Sequence, residues 1–141
     1  MTRRSATSSR SAEQPEVVLF VDRSLGRHRV VDALRDAGMR VEAHDDHFPQ
    51  DTFDQEWIPE VTRRGWVILT KDARISRRAL ELAAVRETGA RVFVLTRQRM
   101  TGDEMAELFV RWKTRIVNIA RSQPPPFWAA VTPSGVRAQK L

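Results

Sequence analysis

The sequence contains a run of five apolar residues, VVLFV at 17–21, that is followed directly by Asp22. Most of these side chains are β-branched and none is polar, which is typical of a strand buried on both faces. The runs WVIL at 66–69 and VFVL at 92–95 have the same character. Strands of this kind occur mainly in parallel sheets that helices cover on both sides, so these runs restrict the chain to few folds.

Helical patterns separate the apolar runs. Amphipathic helices are predicted near 30–37, from Asp54 to Gly65, from Ile75 to Thr88 and from Thr101 to about Arg121. A short strand is predicted at 39–43 and a polar loop at 44–53. Strands that alternate with helices of about ten residues are typical of βαβ units. The sequence therefore predicts an α/β fold with a mainly parallel central sheet.

Composition divides the chain into three parts. Residues 1–14 carry three Arg and one Glu among Ser and Thr, as a disordered basic tail does. Residues 15–122 contain the strands and helices just described and are expected to form one domain. Residues 123–141 form a Pro-rich basic extension, in which FWAAV-TPSG-VRAQK is expected to be a hairpin.

The sequence lacks several features that would point to other classes of protein. It has no cysteine, which excludes disulfide scaffolds, cysteine nucleophiles and thiolate metal sites. It has no apolar run long enough to span a membrane and no secretory h-region at its start. These features fit a cytoplasmic protein with no membrane association.

Three aspartates fall at related places in the predicted fold. Asp22 follows the first strand, Asp72 follows the third strand, and Asp54 begins a helix after the loop that follows the second strand. In a parallel sheet, ligands collect outside the carboxyl ends of the strands. We therefore expect the three carboxylates to converge at one edge of the sheet.

Convergent carboxylates repel one another, and a divalent cation offsets that repulsion. Mg²⁺ and Mn²⁺ prefer oxygen ligands, and such a metal can direct water onto a phosphodiester. We expect Asp22, Asp54 and Asp72 to lie within one coordination sphere of each other. The alternative for each residue is structural: Asp22 and Asp72 could cap the next helix, and Asp54 could complement a helix dipole.

The segments around these acids resemble the successive motifs of PIN-like nucleases, in the branch that includes VapC-like toxin ribonucleases. The segments are LFVDRSLGR, HDDHFPQDTFDQEW and WVILTKDARI, and the resemblance covers about residues 16–120. It implies a three-layer α/β/α sandwich and a metal-dependent endoribonuclease, often a toxin held by a small antitoxin. It also implies catalytic and metal-binding roles for Asp22, Asp54 and Asp72, with Thr70 in a Thr-x-Asp motif.

The sequence departs from that family pattern at two acids. Many members have a Glu in the second position, which Glu56 could supply here, and a fourth acid further along the chain. Asp103 or Glu104 could supply the fourth acid, although Thr101 and Glu104 also match a helix capping box. Asp46, in the His-Asp-Asp-His segment at 44–47, is a candidate for indirect support of the metal.

Basic residues flank the expected site and occur again near the end of the chain. Arg23, Lys71 and Arg74 could contact RNA phosphates or only balance the acidic charge. Residues 108–141 contain six basic residues and no acidic one. With Phe127 and Trp128, this segment is expected to form a positive surface that binds RNA or, as we favour, an acidic protein partner. A homodimer is a further expectation.

Two other classes of function are compatible with part of the pattern. One is a PIN-like module that binds RNA or protein without catalysis, which the sequence does not exclude. The other is a phosphoryl-transfer domain. A receiver domain would need a strand before Asp54 and an acid at Arg23, and a haloacid-dehalogenase phosphatase would need an acid at Ser24, so both fit poorly.

Overall fold

A computed structural model describes residues 16–72 and 78–140 of the chain. Its strands are β1 (Val18–Val21), β2 (Arg40–Ala43), β3 (Val67–Thr70), β4 (Arg91–Leu95), β5 (Phe127–Thr132) and β6 (Gly135–Lys140). Its helices are α1 (Arg29–Asp36), α2 (Asp54–Arg63), α3 (Ala79–Thr88), α4 (Gly102–Arg111) and α5 (Lys113–Ser122). No helix within the two described ranges is long and apolar enough to cross a membrane.

The strands form one sheet in the order β2-β1-β3-β4-β5-β6. The first five strands in this order pair in parallel, and β6 pairs antiparallel with β5. The chain leaves β1 toward β2 on one side and leaves β3 toward β4 on the other. The carboxyl ends of β1 and β3 therefore form a topological switch point, which is the place where open α/β sheets bind ligands.

The alternating side chains of each strand pack into two cores, one on each face of the sheet. Leu19 and Val21 of β1 belong to the core under α1, α4 and α5. Phe20, between them, belongs to the core under α2 and α3, which includes the fully buried Trp57. The expected three-layer α/β/α sandwich is confirmed, because helices cover both faces of the sheet. The alternating side chains of each continuous apolar run fill the cores on the two faces.

Two of the predicted helices differ from the observed ones. The helix predicted from 101 to 121 is two helices, with Trp112 between them, and the Trp112 Nε1 donates to the Thr132 carbonyl oxygen at 3.1 Å. The helix predicted from Ile75 begins at Ala79 in the described residues. Residues 73–77 and the predicted basic tail at 1–14 lie outside the described residues.

The predicted terminal hairpin is present and continues the central sheet. Strand β5 pairs in parallel with β4, and β6 pairs with β5 as far as Thr132 and Gly135. Phe127 has no exposed surface and packs against Phe93 in the core, so the prediction that it contributes to a positive surface was wrong. Trp128 is half-buried against the opposite core.

Candidate metal centre

Asp22 and Asp72 are placed by adjacent parallel strands. Asp22 follows β1 directly, and its backbone N–H donates to the Leu69 carbonyl oxygen of β3 at 2.9 Å. Asp72 lies two residues beyond the end of β3. Because β1 and β3 are neighbours and run in the same direction, both acids lie at the switch point of the sheet.

Two hydroxyl groups hold the Asp22 carboxylate. The Thr70 and Ser24 hydroxyls each donate to Asp22 Oδ2 at 2.8 Å. In turn, Thr70 Oγ1 accepts from the Asp72 backbone N–H at 3.0 Å, and Ser24 Oγ accepts from the Lys71 backbone N–H at 2.9 Å. The network fixes Asp22 relative to the chain at Asp72, and Asp22 Oδ1 takes no part in it. Thr70 is completely buried, which protects these hydrogen bonds from competition with water.

Asp54 reaches the same site from the first turn of α2. The indole Nε1 of Trp57 donates to Asp54 Oδ1 at 3.0 Å and holds the carboxyl group in place. Burial and repulsion from Asp22 and Asp72, with a smaller contribution from Glu81, raise the pKa of Asp54 to about 6. The Trp57 hydrogen bond opposes this change because it favours the charged form. Asp22 and Asp72 are thus near enough to Asp54 for their charges to disfavour its ionised form.

Glu81, in the first turn of α3, is an acid that the sequence analysis missed. Only 8% of its surface is exposed, and it lines the same cleft as the three aspartates. No sequence signal identified it, because only the packing of the helix shows that Ala84 and Val85, one helical turn further on, face inward with Glu81. Glu81 therefore lies at the cleft, where Asp103 or Glu104 had been expected.

The site is an open cleft of about 500 Å³ between the switch point and the first turns of α2 and α3. Asp22, Asp54, Asp72 and Glu81 line it, and the exposed Arg23 and Arg78 lie at its border. Lys71 is not among the lining residues, and Arg74 lies outside the described residues. Among the described residues, basic side chains at the cleft are thus fewer than acidic ones, which favours binding of a cation.

The expectation of a single tight coordination sphere is not met. Among residues 16–72 and 78–140, no three His, Asp or Glu side chains are grouped closely enough to hold a metal ion. Repulsion between like charges opposes a closer grouping of the carboxylates when no cation offsets it. The donor set itself fits Mg²⁺ or Mn²⁺, since all four groups are hard oxygen ligands around one cleft.

The other predicted acids are not brought into the cleft. Glu56 and Asp46 are exposed and do not line it. Asp103 pairs with Arg29 on the surface. The Glu104 carboxylate accepts from the Thr101 backbone N–H at 2.8 Å and completes a capping box at the start of α4.

His44 also borders the cleft, although the histidine cluster does not gather around one point. His44 is 3% exposed, packs against Phe20 and Trp57, and burial lowers its pKa. No hydrogen-bond partner for its Nδ1 occurs in the described part of the chain. His47 instead contacts the Glu42 carboxylate at 2.7 Å, away from the lining of the cleft.

Comparison with known proteins identifies the family of the chain. Residues 17–97 match the family model described as "PIN like domain", which covers more than half of the chain. The chain belongs to the PIN-like domain family. The chain is also 37% identical over 122 residues to "Putative ribonuclease VapC45" of Mycobacterium tuberculosis, covering 84% of this chain and 88% of that protein. No solved structure matches the PIN-like chain.

Proposed function

We propose that this PIN-like protein is a metal-dependent endoribonuclease and acts as the toxin of a toxin–antitoxin pair. The observation that carries the nuclease proposal is the acidic cleft, in which burial and neighbouring carboxylates raise the pKa of Asp54 to about 6. Such an arrangement is costly for folding alone and is typical of sites that bind a cation. The ribonuclease name of the mycobacterial relative supports RNA as the substrate.

Asp22, Asp54 and Asp72 are the proposed metal ligands and catalytic residues, with Glu81 as a fourth acid. Bound Mg²⁺ or Mn²⁺ supplies Lewis-acid chemistry, because it neutralises charge on a phosphodiester and activates water for attack. Ser24 and Thr70 orient Asp22, and Trp57 orients Asp54. Oriented ligands of this kind hold a metal more tightly than mobile ones.

The proposed contacts to RNA phosphates come from arginines at the border of the cleft. Arg23 and Arg78 are exposed there, and the planar guanidinium group suits two-point contact with a phosphate. Lys71 and Arg74 remain candidates for the same role. The positive charge of these basic residues would reduce repulsion between the acidic cleft and an incoming RNA strand.

The test of the nuclease proposal is cleavage of mixed single-stranded RNAs in Mg²⁺, in Mn²⁺ and in EDTA. Asp72→Asn is expected to abolish cleavage while the circular dichroism spectrum is unchanged. Asp36→Asn is the matched control, because Asp36 is exposed at the end of α1 on the opposite edge of the sheet. Undiminished cleavage in EDTA would contradict metal dependence. RNA binding without cleavage under every metal condition would instead favour a non-catalytic PIN-like module.

The toxin proposal implies a small antitoxin that restrains the enzyme. Its proposed contact is the basic surface between α5 and the terminal hairpin, a depression of about 940 Å³ bordered by Arg115 and Arg137. Residues 108–141 contain no acid that would neutralise this surface. An acidic protein segment is therefore the complementary partner. A homodimer and a cytoplasmic location, where RNA is available, are parts of the same proposal.

Co-purification with the product of the adjacent upstream gene tests the partner. Arg115→Glu with Arg137→Glu is expected to weaken the complex and leave cleavage of RNA unchanged. Truncation after Arg121 is unsuitable, because it removes β5 and exposes the buried pairing edge of β4. Retention of the partner by the charge-reversed protein would show that it binds elsewhere, and gel filtration of the same samples reports whether the chain forms a dimer.

A further inference from the structure

Two large hydrophobic side chains are exposed in the described part of the chain, and both border the acidic cleft. Phe53 and Leu80 are each 64% exposed and line the same cleft as the carboxylates. Phe53 directly precedes Asp54, and Leu80 directly precedes Glu81. A single exposed hydrophobic residue needs no explanation, but two beside one candidate active site form an apolar border where a ligand would contact them.

The side chain of Phe53 does not stabilise the helix that it precedes. It occupies the N-cap position of α2, where Ser, Thr, Asp or Asn would accept a hydrogen bond from the first turn. The Phe53 side chain makes no such bond, and most of its ring remains in water. A residue that departs from a local preference without stabilising the fold is a candidate for a functional role.

The backbone holds Phe53 firmly at this position. Its carbonyl oxygen accepts from the backbone N–H groups of Glu56 at 2.9 Å and Trp57 at 3.2 Å. The preceding turn is closed by Thr52, whose hydroxyl donates to the Pro49 carbonyl oxygen at 2.8 Å. An aromatic ring on a fixed backbone loses little conformational freedom when it binds a flat ligand.

We propose that Phe53 stacks on a nucleobase next to the scissile phosphate of a single-stranded RNA, and that Leu80 provides a second apolar contact for the bound strand. This inference rests on the proposed nuclease function and adds a positioning role for both residues. Carboxylates and arginines in the cleft would direct the phosphate, while the apolar border accepts the base. Stacking on an aromatic ring occurs with every base, so it positions RNA without strict sequence specificity.

The small size of the apolar border favours a base over a protein partner. A stable protein interface buries roughly 800 Å² on each side, with several buried anchors. Two isolated side chains beside Asp51, Asp54 and Glu81 do not offer such an area. One nucleobase, in contrast, needs one aromatic face and a nearby phosphate site.

The experiment combines protein variants with RNA that lacks single bases. A short single-stranded RNA with one cleavage site is prepared with an abasic nucleotide at each position in turn. For wild-type protein we expect a fall in kcat/KM of about 10-fold at one position beside the cut, as for loss of one stacked base. In Phe53→Ala, an abasic nucleotide at that position should cause no further fall in kcat/KM, whereas Phe53→Trp should retain the fall. Gln50→Ala, at another exposed position on the same cleft, is the matched control.

A second measurement does not require cleavage. The same RNA carries the fluorescent base 2-aminopurine at the position identified by the abasic series, or at each position in turn. The fluorescence of 2-aminopurine should fall when the RNA binds wild-type protein but not when it binds Phe53→Ala. Quenching without cleavage by wild-type protein would retain the stacking proposal and reject the nuclease proposal. Equal abasic effects in wild-type and Phe53→Ala would reject stacking and retain the nuclease. Loss of a co-purified protein from Phe53→Ala, with unchanged RNA cleavage, would assign the border to that protein and overturn the proposal. Absence of both quenching and cleavage would overturn both proposals.

Discussion

The Thr70 hydroxyl donates a 2.8 Å hydrogen bond to Asp22 Oδ2, joining two residues that are 48 positions apart in the sequence. The bond connects the end of β3 to the residue that follows β1, inside a buried part of the sheet edge. Thr70 also accepts from the backbone N–H of Asp72. One side chain therefore links two of the proposed metal ligands, which explains physically why a Thr-x-Asp sequence would be useful here.

Replacement of Thr70 by valine tests this link. Thr70→Val removes the hydroxyl with little change of shape, so we expect a stability loss of about 1–3 kcal/mol from the unpaired groups. Metal affinity or cleavage should fall about 10- to 100-fold, as when other supporting partners of metal ligands are removed. Calorimetric titration with Mn²⁺ measures the affinity. Thr70→Ser should retain most of it, and equal losses in the two variants would contradict a role for the hydroxyl.

The raised pKa of Asp54 predicts a pH-dependent stability. Its pKa rises from 3.8 to about 6 in the folded protein, so the folded state binds more protons than the unfolded state between these values. Stability from this group is therefore fully present below the lower value and is lost as pH rises through the upper one. In EDTA at neutral pH, Asp54→Asn should be more stable than wild type by about 1 kcal/mol, after allowance for solvent screening.

Urea unfolding at neutral and acid pH measures this difference for Asp54. The advantage of Asp54→Asn should disappear below about pH 4, where both side chains are neutral. Added Mg²⁺ should stabilise wild type more than the variant, because only wild type keeps the full set of carboxylates. A variant that is less stable than wild type at neutral pH in EDTA would contradict the repulsion argument.

The indole of Trp57 tunes the same carboxyl group. In the native protein, the hydrogen bond from Trp57 to Asp54 Oδ1 lowers the pKa of Asp54. The substitution Trp57→Phe removes this bond. In EDTA the pKa of Asp54 should therefore rise further, and the titration profile of its carboxyl group, followed by NMR, should move to higher pH. Trp66→Phe is the control, because Trp66 stacks against Phe20 in the same core. Identical profiles for both variants would assign the effect to packing alone.

Glu81 is predicted to contribute directly to the metal centre. Glu81→Gln keeps the size of this nearly buried side chain and removes its charge, and Mn²⁺ affinity should fall about 10-fold or more. Glu87→Gln lies in the same helix at an exposed position and should bind Mn²⁺ as wild type does. Isothermal titration of both variants provides the comparison. Unchanged affinity in Glu81→Gln would remove this residue from the ligand set.

The capping box at the start of α4 is predicted to be structural. Thr101→Ala removes the acceptor for the Glu104 backbone N–H and should cost about 1 kcal/mol of stability. Cleavage by the folded variant should remain within about twofold of wild type, since surface effects are small away from a site. A large loss of cleavage with intact folding would bring Glu104 back as a candidate ligand.

Local pattern was enough to predict most of the architecture and three of the five acids that line the cleft. The run that ends at Asp22 predicts a buried parallel strand, because only such a strand needs apolar side chains on both faces. The spacing of strands and helices then assigns Asp22 and Asp72 to one edge of the sheet. Asp54 follows from the same argument, since its helix begins on that edge.

The tertiary structure decided which side chains face one another. Whether Glu81 is a surface acid or lines the cleft depends on how α3 packs against the sheet, and the sequence specifies no rotation of a helix that has few large apolar residues. Likewise, Ser24 becomes a partner of Asp22 and Thr70 only when β1 and β3 are adjacent. The sequence by itself determined the layers and strand ends through apolar periodicity; long-range packing alone determined the hydroxyl network, the fourth acid and the pKa of Asp54, because each depends on distances between residues remote in the chain.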